Sequence, residues 1–179
     1  LLILCSPSNP TGSVYSQEEL DALAEVIKKH ERVIVIADEI YEHINYIGSH
    51  ASIAKVADMK ERSVVVNGVS KAYAMTGWRI GFIAAPEWIV KGCNKLQGQY
   101  TSGPCSVSQK AAEAAYTLDQ HCVEEMRQAF ERRRDLIVEL AKNIPGLEVN
   151  KPEGAFYLFP KCSSFFGKSD GQITIKDST

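Results

Sequence analysis

The run Val33-Ile34-Val35-Ile36-Ala37 is almost unbroken β-branched sequence, and it ends in a carboxylate, Asp38. A strand that is apolar on both faces has to be covered on both, which is the situation inside a parallel sheet rather than at a half-solvated antiparallel one. Two further runs have the same form. Leu1-Leu2-Ile3-Leu4-Cys5 passes into Ser6-Pro7-Ser8-Asn9-Pro10-Thr11-Gly12, and Val64-Val65-Val66 passes through Asn67-Gly68-Val69 into Ser70-Lys71. Helical periodicity separates them: Ser16 with Glu19 three residues on forms a capping box, and Leu20, Leu23, Ala24 and Ile27 then share one face. Strands alternating with helices are the pattern of βαβ units and of an α/β fold with a mostly parallel sheet. In open sheets of that kind ligands bind beyond the carboxyl ends of the strands, where Asn9, Asp38 and Lys71 are expected to converge.

Lys71 is the chemically informative member of the three. A β-branched run delivers it into small residues and a Gly77-Trp78-Arg79 turn, a setting foreign to a solvent-seeking ammonium. Lysine is rarely buried unpaired, and a desolvated amine loses proton affinity and becomes a nucleophile toward carbonyl carbon. Pyridoxal phosphate matches the set of groups: it carries an aldehyde for a lysine, a ring nitrogen that needs a carboxylate to stay protonated, a phenolic oxygen and a phosphate.

On these residues the chain resembles the fold-type-I pyridoxal phosphate enzymes, and within them the class I aminotransferases of the aspartate aminotransferase group. The matching segments are Asn9-Pro10-Thr11-Gly12, Asp38-Glu39-Ile40-Tyr41 and Ser70-Lys71 through Gly77-Trp78-Arg79, and the similarity continues to Gly154-Ala155-Phe156-Tyr157. The resemblance implies the large domain of that fold, a three-layer mostly parallel sheet, over residues 1–145, and the start of a smaller α/β domain over residues 146–179. It implies that Lys71 holds the cofactor covalently and then shuttles the proton between substrate and cofactor carbons. Asp38 would pair with the ring nitrogen, Tyr41 and Asn9 with the phenolic oxygen, and Arg79 with the phosphate, a task suited to a planar guanidinium. Ser70 would add a hydroxyl near the phosphate, although Gly68 stands where many members place a phosphate-binding hydroxyl.

The implied activity is transfer of an amino group between an amino acid, aspartate first, and a 2-oxo acid such as 2-oxoglutarate, in a cytoplasmic homodimer. The cofactor motifs also fit carbon-sulfur lyases, cyclopropane-forming synthases and aminotransferase-like sensing domains fused to DNA-binding domains. Similar enzymes place the substrate-gripping arginine after residue 179 and the ring-stacking aromatic before residue 1. With no initiating methionine, the chain is expected to be a piece of a longer protein, inactive by itself.

Lys and Arg number 20 against 22 Asp and Glu, which leaves no basic stripe for nucleic acid. The five cysteines are scattered without a Cys-x-x-Cys pair and read as reduced thiols. No apolar run reaches the roughly 18 to 20 residues a membrane span needs. The four histidines lack metal-ligand spacing and are expected to be surface or capping residues. Arg79 to Ala84 predicts another strand, Pro86 the start of a helix with Ile89, Cys93 and Leu96 on one face, and residues 111–118 a buried alanine-rich helix. A long charged helix over residues 119–143, with Val123, Met126, Phe130, Ile137 and Leu140 on one side, is expected to link the two domains before Pro145-Gly146 stops it.

Overall fold

The computed structural model describes residues 1–178. Four strands, β1 (Leu2–Cys5), β2 (Val35–Asp38), β3 (Ser63–Gly68) and β4 (Gly81–Ala84), form one sheet in the order β1-β2-β3-β4. The first two pairings are parallel and the third is antiparallel, so the expected mostly parallel sheet is what the chain builds. Four helices accompany it: α1 (Gln17–Lys28), α2 (Glu87–Tyr100), α3 (Ser106–Thr117) and α4 (His121–Lys142).

Helix α1 starts where its capping box predicts. The Ser16 hydroxyl accepts from the Glu19 N–H and the Glu19 carboxylate accepts from the Ser16 N–H, satisfying two backbone donors that the first turn leaves open. The face carrying Leu20, Ala24 and Ile27 packs on Val35 and Ala37 of β2, together with Ile53 and Met59, to make the main core. Arg62 ties the far end of this layer together, its guanidinium donating to the carbonyls of Ile27, His30 and Val33.

The expected burial of the alanine-rich helix needs correction, and the apolar faces expected on two other helices are largely uncovered. The alanine-rich helix α3 is only half-buried, with Ser108 its one buried residue. Helix α2 buries none of its residues; Cys93 is exposed and Leu96 is 63% exposed. In α4 the buried residues are Val123, Arg134, Val138 and Ala141, whereas Ile137 and Leu140 face outward. The reason is Arg134: its guanidinium lies 4.3 Å from the Tyr46 ring centre, donates to Pro152 O and pairs with Glu131 and Asp135, which turns that side of the helix inward.

The segment that follows α4 returns to the sheet's carboxyl end. Glu153 N and Gly154 N both donate to Gly12 O, Tyr46 N donates to Glu153 O, and Ala155 N donates to Ile44 O. Residues 153–155 are thereby fastened between the loop after β1 and the loop after β2. Glycine is required at both contacts: a Cβ on Gly12 would stand 2.4 Å from Pro152 Cβ, and one on Gly154 would stand 2.6 Å from Pro7 Cβ. This fastening carries Phe156 and Tyr157 to the place where β2 and β3 end.

Candidate functional site

The parallel register sets the site. Cys5 of β1 pairs with Asp38 of β2, and Asp38 pairs with Val66 of β3, so the chain leaves all three strands on one side of the sheet. Asp38 then turns the chain by accepting from the Ile40 N–H at 3.2 Å through Oδ1. The turn brings Tyr41 under the loop that follows β3, and Tyr41 is only 4% exposed.

Lys71 lies in that loop. Its Nζ stands 5.6 Å from the Tyr41 ring centre and 5.7 Å from the Phe156 ring centre, within cation–π range of both. Among the described residues the amine has no hydrogen bond and no carboxylate partner. The two rings meet edge to face at 5.4 Å, and Phe130 of α4 stacks on Phe156 from behind at 5.2 Å. A half-buried primary amine beside two aromatic rings, with no hydrogen-bond partner among the described residues, is available for covalent bonding to an aldehyde.

The Tyr41 hydroxyl meets the Tyr157 hydroxyl at 2.6 Å. Burial, and then that hydrogen bond, hold the Tyr41 phenol well above its ordinary range, so it stays a neutral O–H. Burial likewise pushes the neighbouring Cys5 thiol up, with Asp38 adding to the effect. Arg79 stands in the left-handed region with φ 53°, closing the single helical turn over Thr76–Trp78; its Nη1 donates to Thr76 O at 2.7 Å and the guanidinium is exposed. Asn9 is exposed at a cis Asn9-Pro10 bond. Ser70 is half-buried directly before Lys71.

Of the six residues singled out from sequence, Tyr41 and Lys71 are in cation–π contact, with Asp38 close enough to Tyr41 to add to the shift of its phenol. Ser70 adjoins Lys71 in the chain, and Asn9 and Arg79 stand on exposed loops that leave the same sheet. The donor set suits pyridoxal phosphate: an unpaired amine, a carboxylate with an oxygen not engaged in its turn, a neutral phenol and an outward guanidinium.

Phe156 and Tyr157 were not assigned a role from sequence, because their position depends on the fastening of residues 153–155. His50 was also misjudged as a surface or capping residue. Its Nε2 lies 2.9 Å from the Glu39 carboxylate, whose other oxygen accepts from Ser52 Oγ at 2.6 Å. Glu39, Glu42 and His50 each bring one ligand-type atom within 4.8 Å of the others. Glu42 is already engaged by Asn67 Nδ2 at 2.8 Å and by His43 at 3.3 Å, so this is a hydrogen-bonded polar cluster beneath the turn.

Comparison with known proteins converges on one family. The family model described as "Aminotransferase class I and II" matches residues 1–170. The chain is 50% identical over 183 aligned residues to a bifunctional aspartate aminotransferase and glutamate/aspartate-prephenate aminotransferase of Petunia hybrida, covering 99% of this chain and 38% of that protein. It is 50% identical over 161 residues to an aspartate aminotransferase of Geobacillus stearothermophilus, covering 89% of this chain and 41% of the relative. Among solved structures, the aspartate aminotransferase of Rhizobium meliloti superposes with a TM-score of 0.92 at 43% identity, over 97% of this chain and 44% of that one. The chain thus spans about two fifths of the length of the curated relatives it matches.

Proposed function

The chain belongs to the class I and II aminotransferases, and from that premise we propose that the protein transfers an amino group between an amino acid and a 2-oxo acid with pyridoxal phosphate held on Lys71. Aspartate is the first substrate, a reading supported by the names of the relatives, some of which also include prephenate, and a 2-oxo acid such as 2-oxoglutarate would be the acceptor. The observation that carries the proposal is the unpaired Lys71 amine between the Tyr41 and Phe156 rings.

Bound there, the cofactor would supply an electron sink for the pair left when the substrate Cα gives up its proton. The chain's own groups do the rest. Lys71 Nζ would bond the aldehyde carbon, whose oxygen would leave as water, and once freed by the substrate amine it would be placed to carry a proton away from Cα. Asp38 would keep the ring nitrogen protonated through its carboxylate. Tyr41 and Asn9 would donate to the phenolic oxygen, and Tyr41 could do so because its phenol stays neutral. Arg79 and Ser70 would hold the phosphate. The rings of Tyr41 and Phe156 would flank the amine, with Tyr157 packed edge to face on Tyr41 and tilted against Phe156.

In this reading residues 1–145 serve the cofactor, residues 146–179 begin the domain that meets substrate, and the working form is a cytoplasmic homodimer. No helix among the described residues is long and apolar enough to cross a membrane. The test is to express the full-length protein, add pyridoxal phosphate, and follow oxaloacetate formation from aspartate and 2-oxoglutarate. Turnover above the free-cofactor background is expected; its absence with aspartate and with every other amino donor would overturn the proposal.

A further inference from the structure

Tyr41 has one proton to give, and the structure supplies two claims on it. Its hydroxyl is 2.6 Å from that of Tyr157, a separation at which one O–H lies between the oxygens and either residue can own it. The phenolic oxygen of the bound cofactor is an acceptor and needs the same proton. Both claims are met only when Tyr157 donates to Tyr41 and Tyr41 donates onward.

We infer that Tyr157 is a positioning residue of the site, its hydroxyl donating to Tyr41 and so directing the Tyr41 proton at the cofactor's phenolic oxygen. This rests on the proposed function. Tyr157 is placed to do it by the main chain before it: Ala155 N donates to Ile44 O at 2.8 Å, and Tyr46 Oη donates to Ala155 O at 2.5 Å. Its ring meets that of Tyr41 at 5.7 Å and 81°. The other titratable groups facing Tyr41 are Cys5 from the end of β1, Asp38 from the end of β2 and Lys71 from the loop after β3. Lys71 lies over the ring face, and Tyr157 is the side-chain hydrogen-bond partner of the hydroxyl among the described residues.

A donor on the phenolic oxygen draws electron density away from the adjacent nitrogen that Lys71 contributes and lowers its hold on a proton. A donor to that donor strengthens the effect, as hydrogen-bonded chains polarise one another. In the cofactor-loaded full-length protein, the visible absorbance changes as this nitrogen loses its proton. Tyr157→Phe is expected to move the midpoint of that change to higher pH by about half a unit, the size of one neutral hydrogen bond. Tyr41→Phe should move it further in the same direction, and in the Tyr41→Phe background Tyr157→Phe should add nothing.

A midpoint unmoved or lowered in Tyr157→Phe would overturn the inference, as would full additivity in the double variant, which is what loosened packing alone produces. Those outcomes leave the proposed function standing, provided the wild type shows the band and borohydride labels Lys71. A wild type without the band would overturn both.

Discussion

Lys71 and Tyr41 are held face to face, the lysine Nζ 5.6 Å from the ring centre, by loops that leave two neighbouring parallel strands. Lys71→Ala should therefore remove the chemistry and spare the fold, since among the described residues the amine has no hydrogen-bond or carboxylate partner to be left stranded. In the full-length protein the expected result is loss of the visible band and a fall in transamination by orders of magnitude, with an unchanged circular dichroism spectrum. Borohydride labelling of a different lysine would contradict the assignment.

Asp38 and Arg79 should separate in kinetics, because in the proposed function one would set the electronics of the ring and the other would anchor its phosphate. Asp38→Ala should slow the proton-transfer half reaction while changing cofactor affinity less. Arg79→Ala should weaken cofactor binding by about 1.5 to 3 kcal/mol, the worth of a hydrogen bond to a charged group. Single-turnover rates and cofactor titrations on both variants check this, and an exchanged pattern would reverse the roles.

What was legible in the sequence is what local physics decides. Ser16 and Glu19 cap α1 through contacts three residues apart, and β-branched runs announce β2 and β3, so fold class and the strand ends bearing Asp38 and Lys71 could be read directly. Phe156 and Tyr157 could be matched to a family segment but not given a job, because they reach Tyr41 only through the hydrogen bonds of residues 153–155 to Gly12, Ile44 and Tyr46. The inward side of α4 was not legible for a similar reason. Helical periodicity places Ile137 and Leu140 with Phe130, but the buried Arg134 finds carbonyl, carboxylate and aromatic partners that no periodicity reveals. His50 reaches the buried Glu39 by the same kind of non-local contact.

Gly12 should be among the least tolerant positions of the chain. It has φ +70°, and an added Cβ would stand 2.4 Å from Pro152 Cβ and 2.8 Å from Gly154 O. Gly12→Ala should destabilise the protein by about 2 to 5 kcal/mol, from the left-handed backbone together with overpacking against main chain. Chemical denaturation of the full-length variant measures this, and a loss under 1 kcal/mol, the scale of an ordinary surface change, would mean that the contact relaxes freely.

The 179-residue chain by itself should be prone to association through β1. That strand is the sheet edge, with Leu2 36% and Ile3 68% exposed, and an apolar edge with open backbone groups is a template for pairing. Ile3→Lys is expected to shift the isolated chain toward monomer in light scattering without altering its helical content. Unchanged association would place the sticky surface elsewhere, for which the uncovered face of α2 is the next candidate.

Tyr46 gives the site a pH limit on the alkaline side. Burial pushes its phenol from 10.0 up to about 12, against the opposing pull of Arg134. The folded state thus favours the neutral O–H, which donates to Ala155 O at 2.5 Å. Because the folded value lies above the unfolded one, this stabilisation is complete below pH 10.0 and is lost as pH rises through about 12. Tyr46→Phe removes both the hydrogen bond and the titration. It should cost about 1 kcal/mol near neutrality, and its urea midpoint should fall less steeply than that of the wild type across this alkaline window. Parallel curves for the two proteins would show that ionisation of Tyr46 is not what loosens the segment holding Phe156 and Tyr157 over Lys71.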